Sequence, residues 1–128
     1  MTAYPRSLGR TARNMLTFRD RRAALEEWVI VGAWLADART TQSGLNRCTT
    51  CQETFFAFGK RPGAPRIYSE SAAFALSFAA LQQAAHETFD ADGPHWPLYI
   101  TPASQGLVHG LAAYRNSTIP RSPAVPAQ

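Results

Sequence analysis

A chain of 128 residues and 14.0 kDa, 45% apolar and 17% charged, has the size and composition of one globular domain. Its eight glycines and nine prolines are too few for a disordered or collagen-like chain, and no uncharged apolar run approaches the ~20 residues that cross a bilayer. The net charge of +4 is unevenly placed: Arg6, Arg10, Arg13, Arg19, Arg21 and Arg22 face only Asp20 in the first 22 residues, whereas residues 67 to 114 hold Glu70, Glu87, Asp90 and Asp92 and no Lys or Arg.

Residues 1 to 16 read as a basic arm preceding a mildly acidic body. On a helical wheel Arg6, Arg10 and Arg13 share one face and Tyr4, Leu8, Ala12 and Met15 the other. The pattern also suits a cleaved organelle-targeting segment or a membrane surface, although Gly9 and Pro5 disfavour a long helix. Six arginines on six phosphates would give a slope of log K against log salt of roughly −5. Twelve of the thirteen basic residues are arginine, the codon habit of a GC-rich bacterial genome.

Thr17 and Asp20 form a capping-box-like start, and Phe18, Leu25, Trp28 and Val29 follow at helical spacing, which predicts a helix from Phe18 to about Trp28. The run from Trp28 to Ala36 is apolar on every face, and its β-branched Val29, Ile30 and Val31 favour a buried strand; a helical alternative would make the protein mostly α with a small sheet. A polar loop from Thr40 to Asn46 precedes the Thr- and Phe-rich segment from Arg47 to Phe58, so residues 28 to 58 read as a long hairpin. Gly59 to Pro65 is turn chemistry, followed by a short strand, Arg66 to Tyr68.

Ser69 or Ser71 can cap a helix running to about Thr88, with Phe74, Phe78, Leu81 and Ala85 as its core stripe. Asp90 to Pro94 stops it. Trp96 to Thr101 reads as an edge strand because of Pro97, and Ser104 to Tyr114 as a short last helix with Leu107, Leu111 and Tyr114 on one face. Residues 116 to 128, with Pro120, Pro123 and Pro126, read as a loose tail. The expectation is thus a single α+β domain over residues 17 to 115: an N-terminal helix, a three-stranded antiparallel region, a long helix packed on its face, and an edge strand.

Cys48-Thr49-Thr50-Cys51 is the one motif with a named chemistry, and its continuation Gln52-Glu53-Thr54-Phe55 resembles a zinc-ribbon knuckle, in which an aromatic packs behind the metal. On an extended strand, however, positions 48 and 51 point to opposite faces. Further ligands would come from His86, His95, His109, Asp90 or Asp92, none at a recognised spacing; two structural cysteines in a reducing cytosol are the simpler reading. His86, Glu87, Asp90, Asp92 and His95 superficially form an acid/base group, but helix-end and turn roles account for them. No nucleophile elbow, P-loop or dinucleotide fingerprint is present, so neither an enzyme nor a cofactor is expected. Pro94-His95-Trp96-Pro97 is the best candidate for an exposed aromatic.

These features point to a small, cytoplasmic, non-enzymatic binding protein of a bacterium. A phage or mobile-element accessory protein, such as an inhibitor of a nucleic-acid-handling host complex, fits the description. Its partner would be nucleic acid or a nucleic-acid-binding protein complex, contacted through Arg6, Arg10, Arg13, Arg19, Arg21 and Arg22. The alternative is a degenerate zinc-ribbon-like module holding a structural metal at Cys48 and Cys51.

Overall fold

A computed structural model describes residues 3–53, 59–89 and 96–122. It contains four helices, α1 (Ala3–Thr17), α2 (Arg21–Arg47), α3 (Ala64–Phe89) and α4 (Pro97–Ser117), and no strand among the described residues. The α+β expectation is therefore overturned, and with it the hairpin over residues 28 to 53, the strand Arg66–Tyr68 and the edge strand Trp96–Thr101. Thr54 to Phe58 and the turn Asp90 to Pro94 lie outside the described residues.

The 27-residue α2 is the central element and packs along both α3 and α4, while α1 lies across α3 and α2. Asp20 caps it, its carboxylate accepting from the Ala23 amide at 3.1 Å. The capping function thus belongs to Asp20, three residues later than expected, and Thr17 instead closes α1 with its hydroxyl on the Arg13 carbonyl. Between them Phe18 adopts the left-handed conformation (φ +50°), a rare state for a non-glycine residue, and its amide bonds the Asn14 carbonyl at 2.7 Å. That single residue reverses the chain from α1 into α2.

The strand expectation for Trp28–Ala36 fails because the buried positions of α2 recur every three or four residues: Ala24, Glu27, Ile30, Trp34, Ala38, Thr41 and Leu45. Half of that stripe is small or polar, whereas the apolar Leu25, Trp28, Val29 and Leu35 are exposed. Three β-branched residues are too short a bias to outweigh a burial pattern that runs the length of a 27-residue helix.

In α3 the first turn begins at Ala64 with Pro65, whose fixed φ suits the start of a helix, so the segment read as a strand is helical. Its buried face is Ile67, Ser71, Ala75, Ala79, Gln82 and His86, rotated about one position from the expected aromatic stripe. Phe74 and Phe78 still reach the core, where both stack on Trp34 (centroids 5.4 and 6.2 Å apart) beside Ile30 and Ala75, but Leu81 is exposed. A second cluster, Ala38, Leu45 and Ile67, closes the far end against Cys51.

α4 runs through Pro102, which lacks the amide that would bond the Leu98 carbonyl. Gln82 of α3 fills the vacancy, its Nε2 donating to Leu98 O at 2.7 Å, so the helix continues where a strand was expected to end. The residues after α4 are also engaged: Ser122 donates its amide to Arg47 O at 2.8 Å, and Ile119 packs on Gly44, where a Cβ would sit 2.9 Å from its Cδ1.

Candidate functional site

The arginine-rich segment is a helix whose inner face is tied to the body. Thr11, Asn14 and Met15 are buried, the Trp28 indole donates to Met15 O at 3.1 Å, and Asn14 bridges two helices. Its Oδ1 accepts from the Asp20 amide at 2.8 Å and its Nδ2 donates to Glu27 at 3.3 Å. This clamp fixes the end of α1 against the start of α2 and so sets the spacing of the basic residues on either side.

Between those two ends lies a cleft of about 480 Å³ lined by Arg10, Arg13 and Arg19 together with Asn14, Thr17 and Gln83; Asp20 also borders it. Three arginines and one aspartate thus border the same cleft. Arg10 bonds Glu87 of α3 at 3.1 Å in an exposed pair, which is worth little energetically. Arg13, Arg19 and Arg21 are exposed and have no ion-pair partner among the described residues. Arg22 turns away: its Nε reaches Glu26 at 3.3 Å and its guanidinium lies 4.8 Å from the Tyr99 ring centre. Arg6 belongs to α1, with its side chain outside the described residues. The structure therefore brings together three of the six expected arginines. Thr17, Asn14 and Gln83 are lining residues that composition alone does not mark.

Electrostatics favour an anion here. Arg19, Arg21 and Arg22 surround the positive end of α2, where cations are disfavoured and negative charge is stabilised by roughly 0.3–1 kcal/mol per group. Asp20 answers part of that field through the cap. A phosphate at this cleft would be met by its arginines, because the Thr17 hydroxyl is bonded to Arg13 O, Asn14 Nδ2 to Glu27 and Gln83 Nε2 to Glu87.

Behind the cleft sits a buried polar network. Glu26 accepts from Gln82 Nε2 and from His86 Nε2, the latter at 2.7 Å, with the histidine side chain 2% exposed. Glu27 is fully buried. Burial pushes its carboxyl up to about 7, opposed by the Asn14 hydrogen bond and the charge of His86 and assisted by Asp20 and Glu26. A second carboxylate–histidine pair, Asp37 Oδ2 with His109 Nδ1 at 2.7 Å, joins α2 to α4; Asn116 donates to Asp37 and Thr41, and Trp34 stacks on His109 and donates to Gln105. Neither pair borders the cleft. His86 and Glu87 diverge, one inward and one to solvent, while Asp90, Asp92 and His95 lie outside the described residues.

Cys48 and Cys51 follow α2 in a turn, not on a strand, and are joined in a disulfide with Cα atoms 5.3 Å apart. The opposite-face geometry argued for a strand does not arise, because the turn brings both sulfurs to one side. Arg61 covers this helix end, donating to the Leu45 and Thr49 carbonyls at 3.0 Å and also to those of Cys48 and Cys51. Among the described residues no group of three or more His, Cys, Asp and Glu side chains is placed to hold a metal ion. No helix among them is long and apolar enough to cross a membrane. No protein-family model matches the chain, and comparison with curated proteins and with solved structures finds no similar one.

Proposed function

We propose that the protein is a non-enzymatic binder of the nucleic-acid backbone, holding phosphates with Arg13 and Arg19 and, at the rim, Arg10 and Arg21. The observation that carries this reading is the convergence of three arginines on one cleft at the positive end of α2, two of them without an intramolecular ion pair among the described residues. Neither carboxylate–histidine pair borders that cleft, which supports binding over catalysis there. A nucleic-acid ligand fits a cytoplasmic site of action, where the Cys48–Cys51 disulfide of this structure would be subject to reduction. The same surface would let the protein occupy a nucleic-acid-handling complex, as an inhibitor does.

Fluorescence anisotropy with labelled single- and double-stranded oligonucleotides at several salt concentrations tests the reading. The expected result is a linear fall of log K with log salt, and for the Arg13→Ala/Arg19→Ala variant a slope shallower by about 2 with at least tenfold weaker binding. Equal affinity and slope in the variant would remove the cleft from the binding surface.

A further inference from the structure

Among the described residues the outer face of α4 has no partner. Trp96, Ile100, Ala103, Leu107, Gly110 and Tyr114 recur at spacings of four, three, four, three and four, and all are exposed. The four large ones among them, Trp96, Ile100, Leu107 and Tyr114, are 53% to 69% exposed. Leu98, Pro102, Gln105, His109 and Asn116 occupy the opposite side of the same helix and face the body. The inner side is held by polar contacts through Gln105, His109 and Asn116, and an apolar stripe on the other side of a helix is ordinarily buried against a partner. Here one side is bare.

We propose that this seam is a homodimer interface, in which α4 pairs antiparallel with α4 of a second copy about a two-fold axis level with Gln105. Charge argues for a second copy. The chain carries +4, so two copies repel over much of their surface, yet residues 97 to 114 contain no Asp, Glu, Lys or Arg, and His109 among them is turned inward onto Asp37. This face therefore meets itself without placing like charges together, and it offers an oppositely charged partner nothing to pair with.

Spacing argues for the antiparallel arrangement. The series from Trp96 to Tyr114 reads the same in both directions, so a two-fold axis at its centre sets Trp96 against the partner's Tyr114, Ile100 against the partner's Gly110, and Leu107 against the partner's Ala103. Each large aliphatic side chain then meets a small residue, and the two ends close with aromatic pairs. At Gly110 an added Cβ would meet nothing within 4 Å, leaving open space for the incoming isoleucine. A parallel pair would instead stack large on large and leave the small layers empty.

Area argues for stability. The exposed parts of Trp96, Ile100, Leu107 and Tyr114, with the flanking Leu111, amount to on the order of 700 Å². That exceeds the largest apolar patch of a typical monomer, about 300–600 Å², and approaches the ~800 Å² that each partner of a stable complex buries.

Sedimentation-velocity ultracentrifugation of the full chain at 1–100 μM, in parallel with Leu107→Glu, reads the outcome. The wild type is expected to sediment as a dimer of about 28 kDa, twice the 14.0 kDa chain, and Leu107→Glu as a monomer with unchanged helical circular dichroism. Because Leu107 is exposed in the single chain, loss of the dimer cannot be mistaken for loss of the fold. A register check uses Ala103→Cys/Leu107→Cys, which is expected to cross-link between copies under mild oxidation. A monomeric wild type, or a dimer that survives Leu107→Glu, would overturn the proposal. So would a monomer that co-sediments with 3:1 phosphatidylcholine/phosphatidylglycerol vesicles in a Leu107-dependent way, which would assign the face to a lipid surface.

Discussion

Glu27 shows how one buried group can tie stability to pH. Its side chain is fully buried, its Oε2 accepts from Asn14 at 3.3 Å, and its Oε1 has no hydrogen-bond partner among the described residues, so the ionised form is poorly solvated. The folded-state pKa is raised from 4.5 to about 7, so the native protein holds this proton more tightly than the unfolded chain does. The stabilisation is complete below pH 4.5 and is lost as pH climbs through 7, an effect of about 3 kcal/mol at most. Glu27→Gln keeps an acceptor for Asn14 and cannot ionise. The variant is expected to be about 1–2 kcal/mol more stable than wild type at pH 8.5 and no more stable at pH 4.5. Urea denaturation at the two pH values measures the difference, and parallel pH profiles for the two proteins would assign the titration to another group.

At the level of the helix, α4 exists as one piece because α3 supplies what Pro102 removes. Gln82 is fully buried, and its Nε2 serves both Leu98 O and Glu26. Gln82→Ala is expected to cost about 2–4 kcal/mol, through an unpaired carbonyl, a lost donor to Glu26 and a small cavity. In a Pro102→Ala background, position 102 regains an amide that can bond Leu98 O directly, so the same change should cost about 1 kcal/mol less. A double-mutant cycle by chemical denaturation gives the coupling, and additive costs would mean that Gln82 does not substitute for the missing amide.

The same element explains where sequence reasoning stopped. A proline at 102 and another at 97 read as strand punctuation because their compensation comes from residue 82, which no local pattern connects to them. The helix from Ala64 to Phe89 was legible to within one residue at its C-terminal end because its length and spacing are strong local signals, but its start was hidden by a β-branched residue between Pro65 and Ser69. In α2 the hydrophobic residues mark the wrong face, since Glu27 and Thr41 are inside while Leu25 and Val29 are outside. A polarity pattern cannot report burial when the buried polar groups bond to other helices, as Glu27 does to Asn14 of α1 and Thr41 to Asn116 of α4.

Across the whole molecule, the charge asymmetry was plain from sequence, but its architecture was not. Composition alone presents the first sixteen residues as an arm separable from the body, because Arg6, Arg10 and Arg13 with no acidic residue look like solvent-facing charge. The buried positions Thr11, Asn14 and Met15, which seat α1 on α2 and α3, include one hydrophobic residue in three and coincide only partly with the apolar face of the helical wheel, whose Ala12 is exposed. The consequence is testable. Removal of residues 1–19 deprives Glu27 of its hydrogen-bond donor and the Trp28 indole of its acceptor, and it uncovers the surface against which Met15 is packed. A fully buried methionine is worth about 1.5–3 kcal/mol, and each lost hydrogen bond to a buried group adds about 1–3 kcal/mol. Against a total stability of about 5–15 kcal/mol for a domain of this size, the shortened chain is expected to lose most of its stability and melt at least 10 °C lower. Differential scanning calorimetry and circular dichroism of the two lengths decide between a structural and a detachable α1. A shortened chain that melts with wild-type cooperativity at the wild-type temperature would return the segment to the status of an arm. If instead it unfolds, loss of oligonucleotide binding on truncation says nothing about phosphate contact, and only the point substitutions at Arg13 and Arg19, which leave the helix packing intact, can separate binding from folding.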